Sequence, residues 1–305
     1  MVVAQYLLTF REVLEAALLT AIILAFIVRT GRTNLVRYAW YGVFGAIAVS
    51  VGLGTAIWFL YGSVTKAQQV LFEGVAALIA VAVLTSMIYW MAMKGRSMRR
   101  EVEARVEAVV TQGTILGFAS LTFILVFREG LETVLFLTPF LLQDPAFTLV
   151  GAALGVAAGI ALSYAIFRVG VKLDMRRFFY FTSILLILLA GGLVGYGVHE
   201  LIEFGGETGA YDAGWWGVAA FNLGLAESNV LHNKGFVGSI LAVMFGYDTD
   251  PERARVLVHT AYLAIAMPLV ILVYRRPEIL ARWSERIRVA LRLGTSRPET
   301  GEEPS

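Results

Sequence analysis

Two groups of charged residues interrupt long apolar segments, and they limit what this chain can fold into more than any other feature. The first is Arg-Glu-Val-Leu-Glu at residues 11–15, inside an apolar segment that runs to Val28. Ten helical residues span ~15 Å, about half of a ~30 Å hydrocarbon core. Charges at that depth are costly unless they are paired, and they usually serve a function. The pattern returns as Arg-Glu-Gly-Leu-Glu at residues 128–132, inside another apolar segment.

On a helix, each group places two carboxylates and an arginine on one face. Residues three and four positions apart are neighbours, so Glu12 lies beside Glu15, and Arg11 lies one turn from Glu15. The second group repeats the arrangement with its own arginine and glutamates, Arg128, Glu129 and Glu132. One alternative is two ion pairs that only join helices. We favour a cation site, because each group has one more carboxylate than its arginine balances.

The composition is that of a membrane protein. Of the 305 residues, 58% are hydrophobic and 16% are charged, and the mean hydropathy is +0.73. These values are typical of a polytopic membrane protein rather than a soluble domain. The chain contains no cysteine, which excludes disulfides, thiolate metal sites and cysteine nucleophiles. It also lacks a phosphate-binding Gly loop ending in Lys-Ser/Thr, so ATP hydrolysis is not expected.

Seven apolar segments are long enough to cross a bilayer. They lie at about residues 2–28, 38–61, 69–93, 114–142, 148–168, 178–200 and 255–274. Arg and Lys are frequent after the first, third, fifth and seventh segments and scarce in the other connectors. The positive-inside rule then places the N-terminus outside and the C-terminus in the cytoplasm. We therefore predict an all-α, multi-pass protein of the cell (plasma) membrane with seven transmembrane helices.

The two charged groups fall in the first and fourth segments, which predicts an internal repeat. A charged cytoplasmic helix at 96–110 would join segments one to three to segments four to six. Because three is an odd number of spans, the second triplet enters the membrane from the opposite side. We expect a 3+3 inverted repeat plus one helix, with repeats at about 1–95 and 112–203 in a permease domain covering 1–275.

Two regions lie outside the repeats. The outer loop, 201–254, contains short apolar pieces at 213–226 and 235–246, which we predict to be interfacial or re-entrant helices over the outer mouth. Beyond the seventh helix at 255–274, residues 276–305 are expected to be cytoplasmic. They are predicted to form a basic amphipathic helix followed by a disordered tail.

Further candidate ligands lie at the outer helix ends. Glu73 opens the third segment, and His199, Glu200 and Glu203 close the sixth. A cation could gather in an outer vestibule lined by these side chains. Equally consistent with the sequence is a solvated helix end whose charges lie at the membrane interface. A zinc protease is poorly supported, because His-Glu-x-x-Glu lacks the second histidine.

Two Arg-Glu-x-Leu-Glu groups, in the first and fourth spans of a seven-span protein, resemble the high-affinity (oxidase-dependent) iron permease family. The resemblance covers about residues 1–275 and implies iron as the transported substrate, with no cofactor. It implies metal ligands and supporting arginines, namely Glu12, Glu15, Glu129 and Glu132 with Arg11 and Arg128. It also implies outward-facing Glu-x-x-Glu pairs, for which Glu200 and Glu203 are the candidates. Val13 departs from the family's usual glycine, which puts close helix approach at the first group in doubt.

The residues by themselves leave other functions open. Carboxylate oxygens suit Fe(III), Mn, Mg or Ca, so a permease for another hard divalent or trivalent cation is an alternative. A membrane di-metal oxidase is less well supported, because such sites use Glu-x-x-His and no histidine follows Glu12 or Glu129 at that spacing. A seven-helix receptor would explain neither the repeat nor the charged groups. Expected partners are iron, the bilayer and an extracytoplasmic oxidase or iron-binding protein, but no nucleic acid.

Overall fold

The computed structural model describes residues 2–94, 98–111, 115–169, 174–226, 228–233 and 235–275. Within these ranges the chain is mainly helical. The helices are α1 (Val3–Arg29), α2 (Val36–Gly62), α3 (Lys66–Lys94), α4 (Met98–Thr111), α5 (Ile115–Gln143), α6 (Pro145–Tyr164), α7 (Met175–Thr208), α8 (Phe236–Phe245) and α9 (Arg253–Arg275). Short 3₁₀ helices occupy Thr33–Leu35 and Gly214–Trp216, and a π-helix at Ala165–Val169 continues α6.

Each of the seven predicted apolar segments is helical. Five of the described helices (α2, α3, α6, α7 and α9) are long and apolar enough to cross a membrane. The other two, α1 and α5, have 27 and 29 residues, and they carry the charged groups that lower their apolar character. These helices are those of a multi-pass membrane protein. The charged segment after α3 is also helical, as predicted, and forms α4.

Two helix ends differ from the prediction. The third helix begins at Lys66, so Glu73 lies about two turns inside it rather than at its start. The sixth segment, α7, runs to Thr208 and passes well beyond residue 200. His199 and Glu200 therefore lie within a continuous helix and not at its end. In both cases polar residues continue the helix beyond the apolar run, and apolar length alone could not locate its end.

Helix α1 packs along α6, and the two run in the same direction. A Cβ atom added at Gly151 would lie 2.8 Å from Gln5 Cβ, and one added at Gly159 would lie 2.8 Å from Val13 Cγ1. Contacts that advance together along both helices require parallel axes. Glycines on α6 thus allow the α1 backbone to come close, as small residues do in membrane helix pairs.

Helices α2 and α5 form a second parallel pair of the same kind. A Cβ atom at Gly42 would lie 2.9 Å from Thr122 Cβ, and one at Gly130 would lie 2.9 Å from Ser50 Cβ. The predicted repeats correspond to α1–α3 and α5–α7. If α1 is exchanged with α5 and α2 with α6, the pair of α1 with α6 becomes the pair of α5 with α2.

Helices α1 and α5 contact each other and are antiparallel, as are α3 and α7. Leu8, near the start of α1, shares a buried cluster with Phe140, near the end of α5. Ile23, near the end of α1, shares another with Phe118, near the start of α5. On the other pair, Gly74 packs against Gly197. Helix α9 lies against α7 and completes the core.

The outer loop is less helical than predicted. Residues 235–246 do contain helix α8, but the predicted helix over 213–226 is wrong, because only a 3₁₀ turn forms there. Gly214 and Gly224 have positive φ angles of 49° and 60°, which end a helix. The following chain instead pairs with the segment before α9, through an antiparallel bridge between Ala219 and Glu252. The predicted helix and tail over 276–305 lie outside the described residues.

Candidate metal-binding site and outer vestibule

The first charged group is almost completely buried on α1. Arg11 Nη1 lies 2.6 Å from Glu12 Oε1, and Arg11 Nη2 lies 2.7 Å from Glu15 Oε1. The three side chains are 1–3% exposed. One guanidinium therefore serves two carboxylates, as the helical spacing predicted. Two buried acids with a single buried base need further compensation, either from a second positive charge or from a proton on one of the acids.

The second charged group has the same order on α5 but a more open arginine. Arg128 Nε lies 2.9 Å from Glu132 Oε1 and 3.7 Å from Glu129 Oε1. Its side chain is 43% exposed, whereas that of Glu129 is 4% exposed. The two arginines, which occupy equivalent positions in the two groups, thus differ in burial, and the sequences of the groups do not indicate this difference.

The two groups meet where α1 and α5 cross. One carboxylate oxygen from each of Glu12, Glu15 and Glu129 lies within 4.8 Å of the other two. Glu132, predicted as the fourth ligand, is not part of that set and has its ion pair with Arg128 instead. The structure therefore brings three of the four predicted carboxylates together and places the fourth beside them.

These carboxylates keep unused acceptor capacity in a buried position. Glu12, Glu15, Glu129 and Glu132 each have a buried oxygen, Oε2, without a hydrogen-bond partner. Bonds of about 2.1–2.4 Å place oxygens on opposite sides of a hard ion ~4.2–4.8 Å apart. The observed spacing can therefore accommodate such a cation, which would also satisfy the acceptors.

Close helix approach at this level is achieved in complementary ways. At the second group, Gly130 on α5 faces Ser50 on α2. At the first group the residue is Val13, and the glycine lies on the facing helix, as Gly159. Val13 therefore does not prevent close helix approach at the first group, because the small residue of the contact is on α6 instead of α1.

Glu73 accepts hydrogen bonds from two tyrosines on neighbouring helices. Tyr61 Oη donates to Oε1, and Tyr196 Oη donates to Oε2. These bonds connect α2, α3 and α7. Sequence analysis identified Glu73 but missed both tyrosines, because a tyrosine near a helix end is common at a membrane interface.

His199, Glu200 and Glu203 form a second cluster whose ligand atoms lie within 4.8 Å of one another. His199 Nδ1 is 2.6 Å from Glu252 Oε1, on the outer loop. Burial would raise the pKa of the Glu252 carboxyl, but the hydrogen bond with His199 and nearby positive charge lower it overall. No spacing relates Glu252 to the other residues, so its role could not be predicted from sequence.

A cavity of about 300 Å³ lies beside this cluster. Its polar lining includes Tyr196, His199, Glu200, Asp248 and Arg255. Arg255 pairs with Asp248, and Asn233 Nδ2 donates to the same carboxylate at 2.8 Å. The 201–254 loop therefore lines this cavity together with α5, α7 and α9. Glu73 is connected to it through Tyr196.

Comparison with known proteins identifies the family of the chain. Residues 2–277 match the model of the Iron permease FTR1 family. An uncharacterized protein of Archaeoglobus fulgidus is 45% identical over 266 residues, which cover 87% of this chain and 93% of that protein. The Ferrous iron permease EfeU of Yersinia pestis is 33% identical over 282 residues, covering 90% and 94%. The Ferrous iron permease EfeU of Escherichia coli is 33% identical over 273 residues, covering 88% and 94%.

No solved structure matches the chain significantly. The family match nevertheless covers all of the described helices, from α1 to α9. The resemblance inferred from the two Arg-Glu-x-Leu-Glu groups is confirmed, and the transporter class is favoured over the oxidase and the receptor. The chain belongs to the Iron permease FTR1 family.

Proposed function

We propose that this protein carries iron into the cell through one site shared by its two charged groups. The observation that supports this most directly is the convergence of Glu12, Glu15 and Glu129 within 4.8 Å, from helices far apart in sequence. Intramembrane carboxylates are usually part of an ion path. Glu132, one turn along α5 from Arg128, completes the site when the arginine moves away.

Ferrous iron is the proposed form of the substrate. The curated relatives carry the name Ferrous iron permease, and three carboxylates balance a divalent ion together with one guanidinium. Carboxylate oxygens alone discriminate poorly among hard cations, so selection would depend on coordination number and cavity size. Mn²⁺, Mg²⁺ and Ca²⁺ are the competitors to compare.

We propose a topology of seven spans, with two inverted triplets and a seventh helix. Support comes from the two parallel pairs, α1 with α6 and α2 with α5, which a two-fold axis between the proposed repeats would exchange. The substrate site lies between the repeats, as in other transporters built this way. The N-terminus and the long loop would then face outward and α4 the cytoplasm, in the plasma membrane.

Iron would approach through the outer cavity. Glu73, His199, Glu200 and Glu203 lie at or beside that cavity, where their negative charge would raise the local cation concentration. Phe140, in its wall, lies eight residues beyond Glu132 on α5, or ~12 Å. An extracytoplasmic iron-binding protein would deliver Fe(II) to this face; delivery by an oxidase would instead make Fe(III) the transported form.

The arginines have a defined task in this scheme. In the empty site they compensate part of the carboxylate charge and hold the acids in place, which limits repulsion among them. An arriving cation takes over that compensation. Transport then needs no covalent chemistry and no cofactor, only exchange of one positive partner for another as access alternates between the two sides.

The test is uptake of radiolabelled Fe(II) into proteoliposomes that contain the purified protein. We expect accumulation inside the vesicles, reduced by an excess of unlabelled Fe(II) more than by Mn²⁺, Mg²⁺ or Ca²⁺. If another cation reduced uptake as strongly as unlabelled Fe(II), the protein would not be specific for iron. Binding without accumulation, together with oxygen consumption, would instead establish the di-metal oxidase. Protein-free vesicles and the Glu15→Gln variant provide the controls.

A further inference from the structure

Both motif arginines contact α3, a helix that contributes no carboxylate to the central site. Arg11 Nη1 donates to Met87 Sδ at 3.2 Å. Arg128 Cζ lies 4.7 Å from the centroid of the Trp90 ring, in cation–π geometry. Met87 and Trp90 are three positions apart and therefore share a face of α3. One turn of this helix thus supports the cationic half of the site.

The two arginines are held to very different degrees. Arg11 is 3% exposed and has ion pairs of 2.6 and 2.7 Å in addition to the sulfur contact. Arg128 is 43% exposed and has one ion pair of 2.9 Å, to Glu132. Its second carboxylate contact, to Glu129, is longer at 3.7 Å. Arg11 is enclosed, whereas Arg128 has room to move.

A cation that enters the carboxylate cluster repels both guanidiniums. If Arg11 gave up its carboxylates it would become a buried charge without a partner, which is strongly unfavourable. Arg128 can give up its carboxylates and keep the face of Trp90, whose ring quadrupole attracts a cation. The ring matters more after the carboxylates are lost, because it is then the main remaining partner of Arg128.

We propose that Arg128, and not Arg11, is the guanidinium displaced from its carboxylates when the substrate enters, and that Trp90 is the positioning residue that continues to hold it. This inference rests on the proposed transport function and assigns the two arginines unequal roles in it. Because the Trp90 ring stabilises the loaded site more than the empty one, its loss weakens substrate binding. A cation–π contact of ordinary strength corresponds to about a 2- to 30-fold change in apparent affinity.

The experiment compares Trp90→Phe and Trp90→Leu in the proteoliposome assay, with KM for Fe(II) and maximal rate measured separately. We expect Trp90→Leu to raise KM about 2- to 30-fold and Trp90→Phe to raise it less, since phenylalanine keeps an aromatic face. Maximal rate per folded protein should change little. Trp40→Leu is the matched control, because Trp40 is 41% exposed on α2 and stacks on Phe44; its KM should equal that of the wild type.

Equal KM values for Trp90→Phe and Trp90→Leu would overturn the proposal, because packing and not the ring face would then explain the effect. If either variant fails to fold, fluorinated tryptophans at position 90 keep the shape while weakening the quadrupole. KM should then rise with each added fluorine, and a flat series would refute the role of Trp90. A wild-type protein that accumulates no iron would defeat the proposed function itself, whereas normal wild-type uptake with a flat series defeats only this inference.

Discussion

Neutralising one carboxylate from each charged group tests whether the groups form a single site. We consider Glu15→Gln and Glu129→Gln, alone and together, because oxygens of these two residues lie within 4.8 Å of each other. At an effective dielectric constant of about 20, a unit charge 4 Å from another contributes ~4 kcal/mol. A divalent ion in direct contact with a carboxylate loses at least that much when the charge is removed. At ~1.4 kcal/mol per factor of ten, each single variant should lose roughly 1,000-fold in transport efficiency.

Two such losses would multiply if the sites were separate, and the double variant would then be far worse than either single one. In one shared site the second neutralisation removes little that is left, because residues that act as a unit are non-additive. We therefore expect the double variant to match the single ones within measurement error. The readout is initial uptake of radiolabelled Fe(II) per folded protein, with size-exclusion profiles to confirm folding.

Glu103→Gln is a suitable control for loss of one negative charge. Glu103 lies on α4 and pairs with the exposed Arg29 at 3.5 Å, far from the central carboxylates, so its uptake should be unchanged. Glu15→Asp provides a second comparison, since it keeps the charge but withdraws it by one methylene, and it should already reduce uptake severely. Single variants that each retain substantial uptake, with losses that multiply in the double variant, would refute the shared site.

Three further predictions use the same protein. Neutralising Glu200 and Glu203 together should raise KM for iron several-fold with little change in maximal rate, because they concentrate the cation; a collapse of maximal rate would instead place them in the path. Gly159→Ala should lower the free energy of unfolding by about 1–3 kcal/mol, because the new Cβ would lie 2.8 Å from Val13 Cγ1. The readout is a lower midpoint of thermal unfolding in scanning fluorimetry, and an unchanged midpoint would show that α6 can move away from α1 without loss of stability. A cysteine at Thr208 should react only with reagent added outside, and one on α4 only from the cytoplasm; reaction of both from one side would contradict the inverted topology.

The central site was largely predictable, because charged side chains inside apolar helices carry a high free-energy cost. Charges inside apolar helices usually serve a function, so both groups could be identified without any structure. Helical spacing then placed each arginine beside its own glutamates, as the ion pairs of Arg11 and Arg128 confirm. The loop was harder to predict. Residues 213–226 are apolar but contain glycines, and the chain there pairs with residues far along the sequence.

What the sequence determined by itself is therefore the long apolar helices, the residues that share a face on each, and the chemistry of the carboxylate groups. Tertiary structure alone decided that Glu129 joins Glu12 and Glu15 while Glu132 stays with its arginine. It also decided that Arg128 lies against Trp90, and that a glycine on α6 compensates for a valine on α1. Periodicity fixes directions around one helix axis, but the rotation of each helix against its neighbours follows from packing of the whole bundle.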